Sequence, residues 1–178
     1  MFVQIQETPN PNSLKFIPGK VVSDDGPYEF LNENQTEIPI LKNILSINGV
    51  TGVFLSENFL SVNKSQDEKW ENIKHIVISY LNEYYENGNE FIINKNIPLD
   101  NLEDYGETEK KIIKILETKI RPAVARDGGD ITFKEFKDGK VTVILKGSCS
   151  GCPSSTLTLK QGVQNLLCHY IPEVKEVL

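Results

Sequence analysis

The spacing of apolar residues predicts strands and helices over the first half of the chain. Short apolar or alternating runs predict strands at residues 2–6, 14–17, 52–55 and 59–62. Apolar residues three and four apart predict helices over residues 40–47 and 70–84, and Asn87-Gly88 is a typical helix stop. We therefore predict an α+β domain over residues 1–88.

The second half of the chain predicts another small α+β domain after a break. Residues 89–106 have no sustained period and several asparagines, which indicates a linker. From residue 107 the pattern predicts helix, strand, strand, helix and strand, with Asp138-Gly139 favouring a tight hairpin turn between the two central strands. Pro122 should kink or end the first helix. We predict an α-β-β-α-β domain with a short mixed sheet over residues 107–178.

Composition and charge exclude several classes of protein. With 178 residues, 39% hydrophobic and 25% charged, the chain can bury cores, and it has no apolar run of the roughly 20 residues that a membrane span needs. A net charge of -6 without a clustered basic stripe argues against nucleic acid as a partner. The first residues lack the features of a signal peptide or a transit sequence. We expect a bacterial cytoplasmic protein, or a mitochondrial matrix protein if the chain is a processed form.

A pair of cysteines carries the most informative chemistry. Cys149 and Cys152 lie between a predicted strand and a predicted helix, and Pro153 suits the first turn of that helix. In a reduced compartment such a C-x-x-C pair indicates metal or redox chemistry. The free N–H groups and the positive dipole end of the helix should lower the pKa of both thiols and favour thiolate.

Three interpretations of the cysteine pair are open. A thioredoxin-like dithiol also lies at a strand-to-helix junction, but that fold needs several more strands and a helix, and only 26 residues follow Cys152. A zinc site would add Cys168 and His169, yet a helix between 152 and 168 would place them roughly 24 Å from the pair. An iron–sulfur cluster usually takes four thiolates, so two chains would each supply Cys149 and Cys152.

Two further features have simple structural explanations. Cys168 follows two leucines near the end of a predicted helix, so we expect a buried or half-buried structural thiol there. Residues 127–130 read Asp-Gly-Gly-Asp, and two carboxylates make a poor metal site without further ligands. We expect these four residues, the DGGD motif, to form a tight turn instead.

The motifs in both halves resemble one family. The DGGD motif, followed by GSCSGCPSS at residues 147–155, resembles the NifU C-terminal domain of the Nfu iron–sulfur carriers. The segments QETPNPNSLKF at residues 6–16 and GVTGVF at residues 49–54 resemble the N-terminal domain that accompanies it. Together these resemblances cover nearly the whole chain.

The resemblance implies a scaffold or carrier rather than an enzyme. Its family binds a [4Fe-4S] cluster across a homodimer, receives it from upstream cluster-assembly proteins and delivers it to apo iron–sulfur client proteins. The family's two ligands fall on Cys149 and Cys152, and the N-terminal domain has no cysteine with which to bind a cluster. The alternative is a thioredoxin-like dithiol oxidoreductase that uses the same cysteine pair.

Overall fold

The chain divides into two compact units, Met1–Ile93 and Asn94–Leu178. The computed structural model describes residues 2–24, 26–90, 102–151 and 153–178, without the side chains of residues 102 and 153–155. Most of the predicted linker lies outside the described residues. The domain boundaries 1–88 and 107–178, with a linker over 89–106, therefore stay a prediction.

The first unit is a five-stranded antiparallel sheet with two helices. Its strands pair in the order β1-β2-β5-β4-β3. Their bounds are β1 Gln4–Glu7, β2 Ser13–Ile17, β3 Tyr28–Phe30, β4 Val50–Leu55 and β5 Leu60–Lys64. The helices are α1 Pro39–Leu45 and α2 Trp70–Glu86, and a short 3-10 turn covers Glu33–Gln35.

The buried side chains of the strands and of the helices form one hydrophobic core. Each strand turns every second side chain towards the helices, as Leu14 and Phe16 of β2 show. Helix α2 buries residues at helical spacing against them: Ile73, Val77, Leu81 and Tyr85. The predicted strands and helices of this half are all present, and β3 is an additional strand of three residues.

The second unit is a mixed three-stranded sheet packed against helices. Strands β6 Gly129–Lys137 and β7 Lys140–Gly147 form an antiparallel hairpin, and β8 Glu176–Val177 joins β7 in parallel. The helices are α3 Glu107–Ile115, α4 Arg121–Arg126 and α5 Pro153–Tyr170, with a 3-10 turn at Leu102–Asp104. This arrangement confirms the predicted α+β class and the α-β-β-α-β order with a short mixed sheet.

Pro122 neither ends the first helix of this unit nor leaves it regular. A π-helical turn at Leu116–Ile120 connects α3 to α4, and Pro122 lies in the first turn of α4. A proline has no N–H to donate, so the hydrogen-bonding pattern must change just before it. The widened turn makes this change and lets the apolar face continue through Ile112, Leu116, Ile120 and Val124 into the core.

The hairpin turn and the length of β8 set the shape of the sheet. Asp138 and Gly139 both have positive φ, 52° and 82°, as the predicted tight turn requires. Strand β8 pairs only with the first part of β7, because Val177 lies opposite Val141.

Within the described ranges, no helix is both long and apolar enough to span a bilayer.

Candidate functional site

Cys149 lies on a tight loop between the end of β7 and the start of α5. Gly147 and Gly151 have φ of 68° and 78°, conformations that L side chains rarely adopt. The Ser150 hydroxyl donates to the Gly147 carbonyl at 2.8 Å, and the Thr156 hydroxyl donates to the Cys149 carbonyl at 3.2 Å. The loop is therefore tied to the strand before it and to the helix after it. Cys152 lies outside the described residues.

The DGGD motif packs directly against this loop. Gly128 has a φ of 85°, and its carbonyl accepts the Ser148 N–H at 3.1 Å, while the Ser148 hydroxyl donates to the Asp127 carbonyl. Gly129 lies opposite Gly147 in the hairpin. A methyl group on Gly129 would lie 2.7 Å from Cys149 Sγ, so only glycine fits there. Asp127 and Gly128 thus form a turn, as predicted, whereas Gly129 and Asp130 already belong to β6, and the motif supports the cysteine loop.

An ion pair between a partly exposed arginine and a buried aspartate fixes the far end of the DGGD motif. Arg121 Nε and Nη2 donate to the two carboxylate oxygens of Asp130 at 2.8 and 3.1 Å. The Asp130 side chain is 7% exposed, and the pair joins the start of α4 to the first residues of β6. A bidentate arginine–carboxylate pair fixes orientation as well as distance. The ion pair therefore holds β6, and with it Gly129, beneath Cys149.

Burial raises the pKa of the Cys149 thiol, contrary to the prediction that the helix end lowers it. Burial raises the pKa of Cys149 to about 11, the contact with the Ser148 hydroxyl lowers it, and the carboxylates of Asp127 and Asp130 raise it. The side chain is only 7% exposed and belongs to the core of the second unit. Loss of solvent therefore outweighs the field of the helix end.

Cys168 and His169 lie far along α5 from the cysteine loop. Cys168 is partly buried and packs against the core, as expected of a structural thiol, and the His169 ring contacts Tyr170 with ring centroids 5.0 Å apart. Fifteen helical positions separate Cys168 from the start of α5, roughly 22 Å along the axis. The described residues hold no group of three or more histidine, cysteine or carboxylate side chains placed to bind a metal. The structure brings neither residue to Cys149.

An apolar cleft of about 320 Å³ opens beside Cys149. Strand β7 forms one wall and helix α5 the other, and the lining residues are mostly aliphatic. They include Val143, Leu145, Leu159, Val163 and Leu178. Cys149 and Ser150 also line the cleft. Sequence reasoning missed both this cleft and the support of Cys149 by Gly129 and Arg121.

Replacing Gly129 by alanine tests the support of the loop. We expect Gly129→Ala to destabilise the second unit by about 1–3 kcal/mol, because the new methyl group would overlap Cys149 Sγ and the Lys146 carbonyl. A methyl group on Gly162 of α5 would meet no other atom within 4 Å, so Gly162→Ala should stabilise the helix by about 1 kcal/mol. Hydrogen exchange of the Ile131 amide measures both changes. Equal stability of Gly129→Ala and wild type would contradict the packing described.

Comparisons with known proteins match both halves of the chain. Residues 3–88 match the family model described as scaffold protein Nfu/NifU N terminal, and residues 112–178 match the NifU-like domain. NifU-like protein 4, mitochondrial, of Arabidopsis thaliana is 42% identical over 99% of this chain and 65% of that protein. The NFU1 iron-sulfur cluster scaffold homolog, mitochondrial, of Drosophila erecta is 41% identical over 99% of this chain and 64% of that protein.

A solved structure is also similar to part of the chain. The solution NMR structure of a NifU-like protein from Saccharomyces cerevisiae has a TM-score of 0.48 and 24% identity, covering 53% of this chain and 87% of that one. The chain spans about 65% of the length of the curated relatives described above. Both family models match in the predicted order, and together they extend over most of the sequence. The chain belongs to the Nfu family of NifU-like proteins.

Proposed function

We propose that this protein is an iron–sulfur cluster carrier that binds a [4Fe-4S] cluster through Cys149 and Cys152 of two identical chains and delivers it to apo-proteins. The observation that supports this most is the loop of Cys149, which is held at the head of α5 by the DGGD motif. The name of the Drosophila relative, an iron-sulfur cluster scaffold homolog, points to the same cargo.

The number of ligands favours a cluster shared between two chains. A [4Fe-4S] cluster usually takes four thiolates, and one chain offers the pair Cys149 and Cys152 in a single loop. Cys168 packs roughly 22 Å further along α5, so it supplies no third ligand to the same cluster. A two-fold axis through the cluster would present the same loop from both chains. The cluster is cargo in this proposal, because thiolates of an acceptor can replace Cys149 and Cys152 as its ligands.

The raised pKa of Cys149 affects loading. Metal ligands must be deprotonated, and burial raises the pKa of Cys149 to about 11, so each Cys149 must release a proton when the cluster binds. The family models that match the chain, scaffold protein Nfu/NifU N terminal and NifU-like domain, favour the carrier over the alternative of a dithiol oxidoreductase.

The first unit contributes to recognition in this proposal. All three cysteines lie in the second half of the sequence, so residues 1–93 supply no thiolate to a cluster. We assign this unit to contacts with apo iron–sulfur client proteins and upstream cluster-assembly proteins, with no role for nucleic acid or membrane. Of the two compartments that the sequence allowed, the names of the relatives favour the mitochondrial matrix over the bacterial cytoplasm.

Cluster-linked dimerisation tests this function. If two chains share the cluster, holo-protein should sediment as a dimer and apo-protein as a monomer, because a ligand bound only by the dimer stabilises the dimer. Anaerobic sedimentation velocity, with absorbance of the cluster and of the protein recorded together, measures this. Chains in which Cys149→Ser removes a ligand should remain monomeric under the same reconstitution. A brown monomer carrying a full cluster would contradict the shared site.

A further inference from the structure

Strand β7 has an exposed edge next to the cysteine loop. The strand runs from Lys140 to Gly147, but its partner β8 ends opposite Val141. The last bond across this edge joins the Val143 N–H to the Leu178 carbonyl at 3.1 Å. Among the described strands no other lies on this side of β7, because the sheet order is β6-β7-β8. No described residue therefore pairs with the edge beyond Val143, which we call the open edge.

Backbone alternation identifies the groups that this edge presents. Successive residues of a strand direct their N–H and C=O groups to opposite sides, and Val141 and Val143 direct theirs to β8. Leu145 therefore points its N–H and C=O to the same side as Val143. Within the described part of the chain, no hydrogen bond reaches Leu145 from that side. Nothing in β7 blocks pairing, since it contains no proline and the irregularity of the hairpin lies in β6.

The open edge is also one wall of the apolar cleft. Val143 and Leu145 of β7 line it together with Leu159 and Val163 of α5, and Cys149 is among the lining residues. An extended peptide that pairs with the edge would place every second side chain in this cleft. Its volume of about 320 Å³ suits a few aliphatic side chains rather than a large ligand.

One cation lines the cleft. Lys160 on α5 is partly exposed there, and no ion pair joins it to any other described residue. A carboxylate on an incoming segment would therefore complement this side of the cleft. Two copies of this chain paired edge to edge would instead bring both Lys160 ammonium groups to the same face of one continuous sheet. Like charges in that position favour a different, acidic partner over a second copy.

We infer that the β7 edge and its cleft bind an extended segment of the acceptor polypeptide, with apolar residues facing the cleft and a carboxylate facing Lys160. This rests on the proposed carrier function, since it identifies how an acceptor reaches the cluster ligand. The added strand takes the position that β8 leaves empty beside Leu145 and ends next to Cys149. Pairing of this kind would bring acceptor cysteines next to Cys149.

A synthetic strand tests the inference in cluster-free protein. The probe is a capped hexapeptide of alternating valine and threonine with one terminal glutamate, titrated into labelled apo-protein while amide resonances are followed. We expect saturable shifts at Leu145 and Val143 and slowed exchange of the Leu145 amide. Methylating the backbone nitrogens of the threonines or of the valines gives two control peptides. If the probe runs parallel to β7, its threonine N–H groups face the strand, so the threonine-methylated peptide should lose about tenfold or more in affinity. If the probe runs antiparallel, its valine N–H groups face the strand, so the valine-methylated peptide should lose that affinity instead.

Protein variants separate the cleft from other surfaces. Leu159→Trp should fill the cleft and weaken the probe about tenfold, whereas Leu157→Trp, at a position 70% exposed on the same helix, should not. Lys160→Glu should weaken it several-fold, and Lys134→Glu on β6, outside the cleft, should not. Because the probe is titrated into cluster-free protein, its binding is measured separately from iron content, which keeps this test distinct from that of the carrier function.

Several results would overturn the inference. Equal binding of both methylated peptides would show that no strand forms, and an absence of shifts at Leu145 at millimolar probe would show that the edge takes no peptide. A Leu145 amide already protected in a dimeric apo-protein would assign the edge to a second copy of this chain.

Discussion

Serine at either position of the cysteine pair should abolish cluster binding. After anaerobic reconstitution, we expect about two irons per wild-type chain, as one [4Fe-4S] cluster between two chains requires, and background iron for Cys149→Ser and for Cys152→Ser. A serine hydroxyl keeps its proton at neutral pH and does not replace a thiolate. Because each substitution removes two of four ligands from the dimer, the loss should be complete rather than partial.

Cys168 provides the matched control for that experiment. Its thiol packs against the core of the second unit, and helix α5 separates it from Cys149. Cys168→Ala should therefore retain the iron and sulfide content of wild type. Iron analysis, sulfide analysis and the visible spectrum of all four proteins measure the outcome. Loss of iron in folded Cys168→Ala, or retention of it in Cys149→Ser, would refute the ligand assignment.

Removing the arginine beneath the cysteine loop should have the largest effect on stability. In Arg121→Met the Asp130 carboxylate, 7% exposed, would lose both of its charge-assisted hydrogen bonds and stay buried. An unpaired buried charge of this kind costs about 3 kcal/mol or more. The free energy of unfolding of the second unit, taken from the slowest-exchanging amides of Ile131 and Val141, should fall by that amount.

Glu117 supplies the control for Arg121. Its carboxylate lies 3.9 Å from Arg121 Nη1 and is more than half exposed, at 54%. Glu117→Gln should therefore change the free energy of unfolding by less than about 0.5 kcal/mol, as for other exposed pairs. If Arg121→Met were as stable as Glu117→Gln, the ion pair with Asp130 would not support the fold as described.

The longest and most regular hydrophobic patterns in the sequence predicted their helices and strands correctly. Helix α2 and the hairpin of β6 and β7 carry long, regular patterns, and the structure has both. Strand β3 has only three residues, too few for an alternation to show. The π-helical turn before Pro122 was outside the prediction because two outcomes, a kink or an end, are consistent with the same proline.

The sequence singled out the cysteine pair as the candidate site, but the expected lowering of the pKa is wrong for Cys149. The C-x-x-C pair marks the loop, but the expected lowering of the thiol pKa considered only the helix end. The pKa of Cys149 depends more on what covers it, and Gly129 does so from a distant part of the sequence. Counting residue pairs outward from the Asp138-Gly139 turn would have placed Gly129 near Gly147. The one register shift in the hairpin offsets this count. No such count relates Arg121 to Asp130, since they lie on different elements.

Transfer to an acceptor tests the central claim most directly. Holo-protein is mixed anaerobically with an apo [4Fe-4S] enzyme in the presence of an iron chelator, and the activity of the enzyme is followed with time. If this protein is a carrier, the acceptor should gain activity faster than from equal amounts of free iron and sulfide, and the chelator should leave that rate unchanged. An acceptor that stays inactive, or that gains activity only at the rate given by free iron and sulfide, would contradict the account.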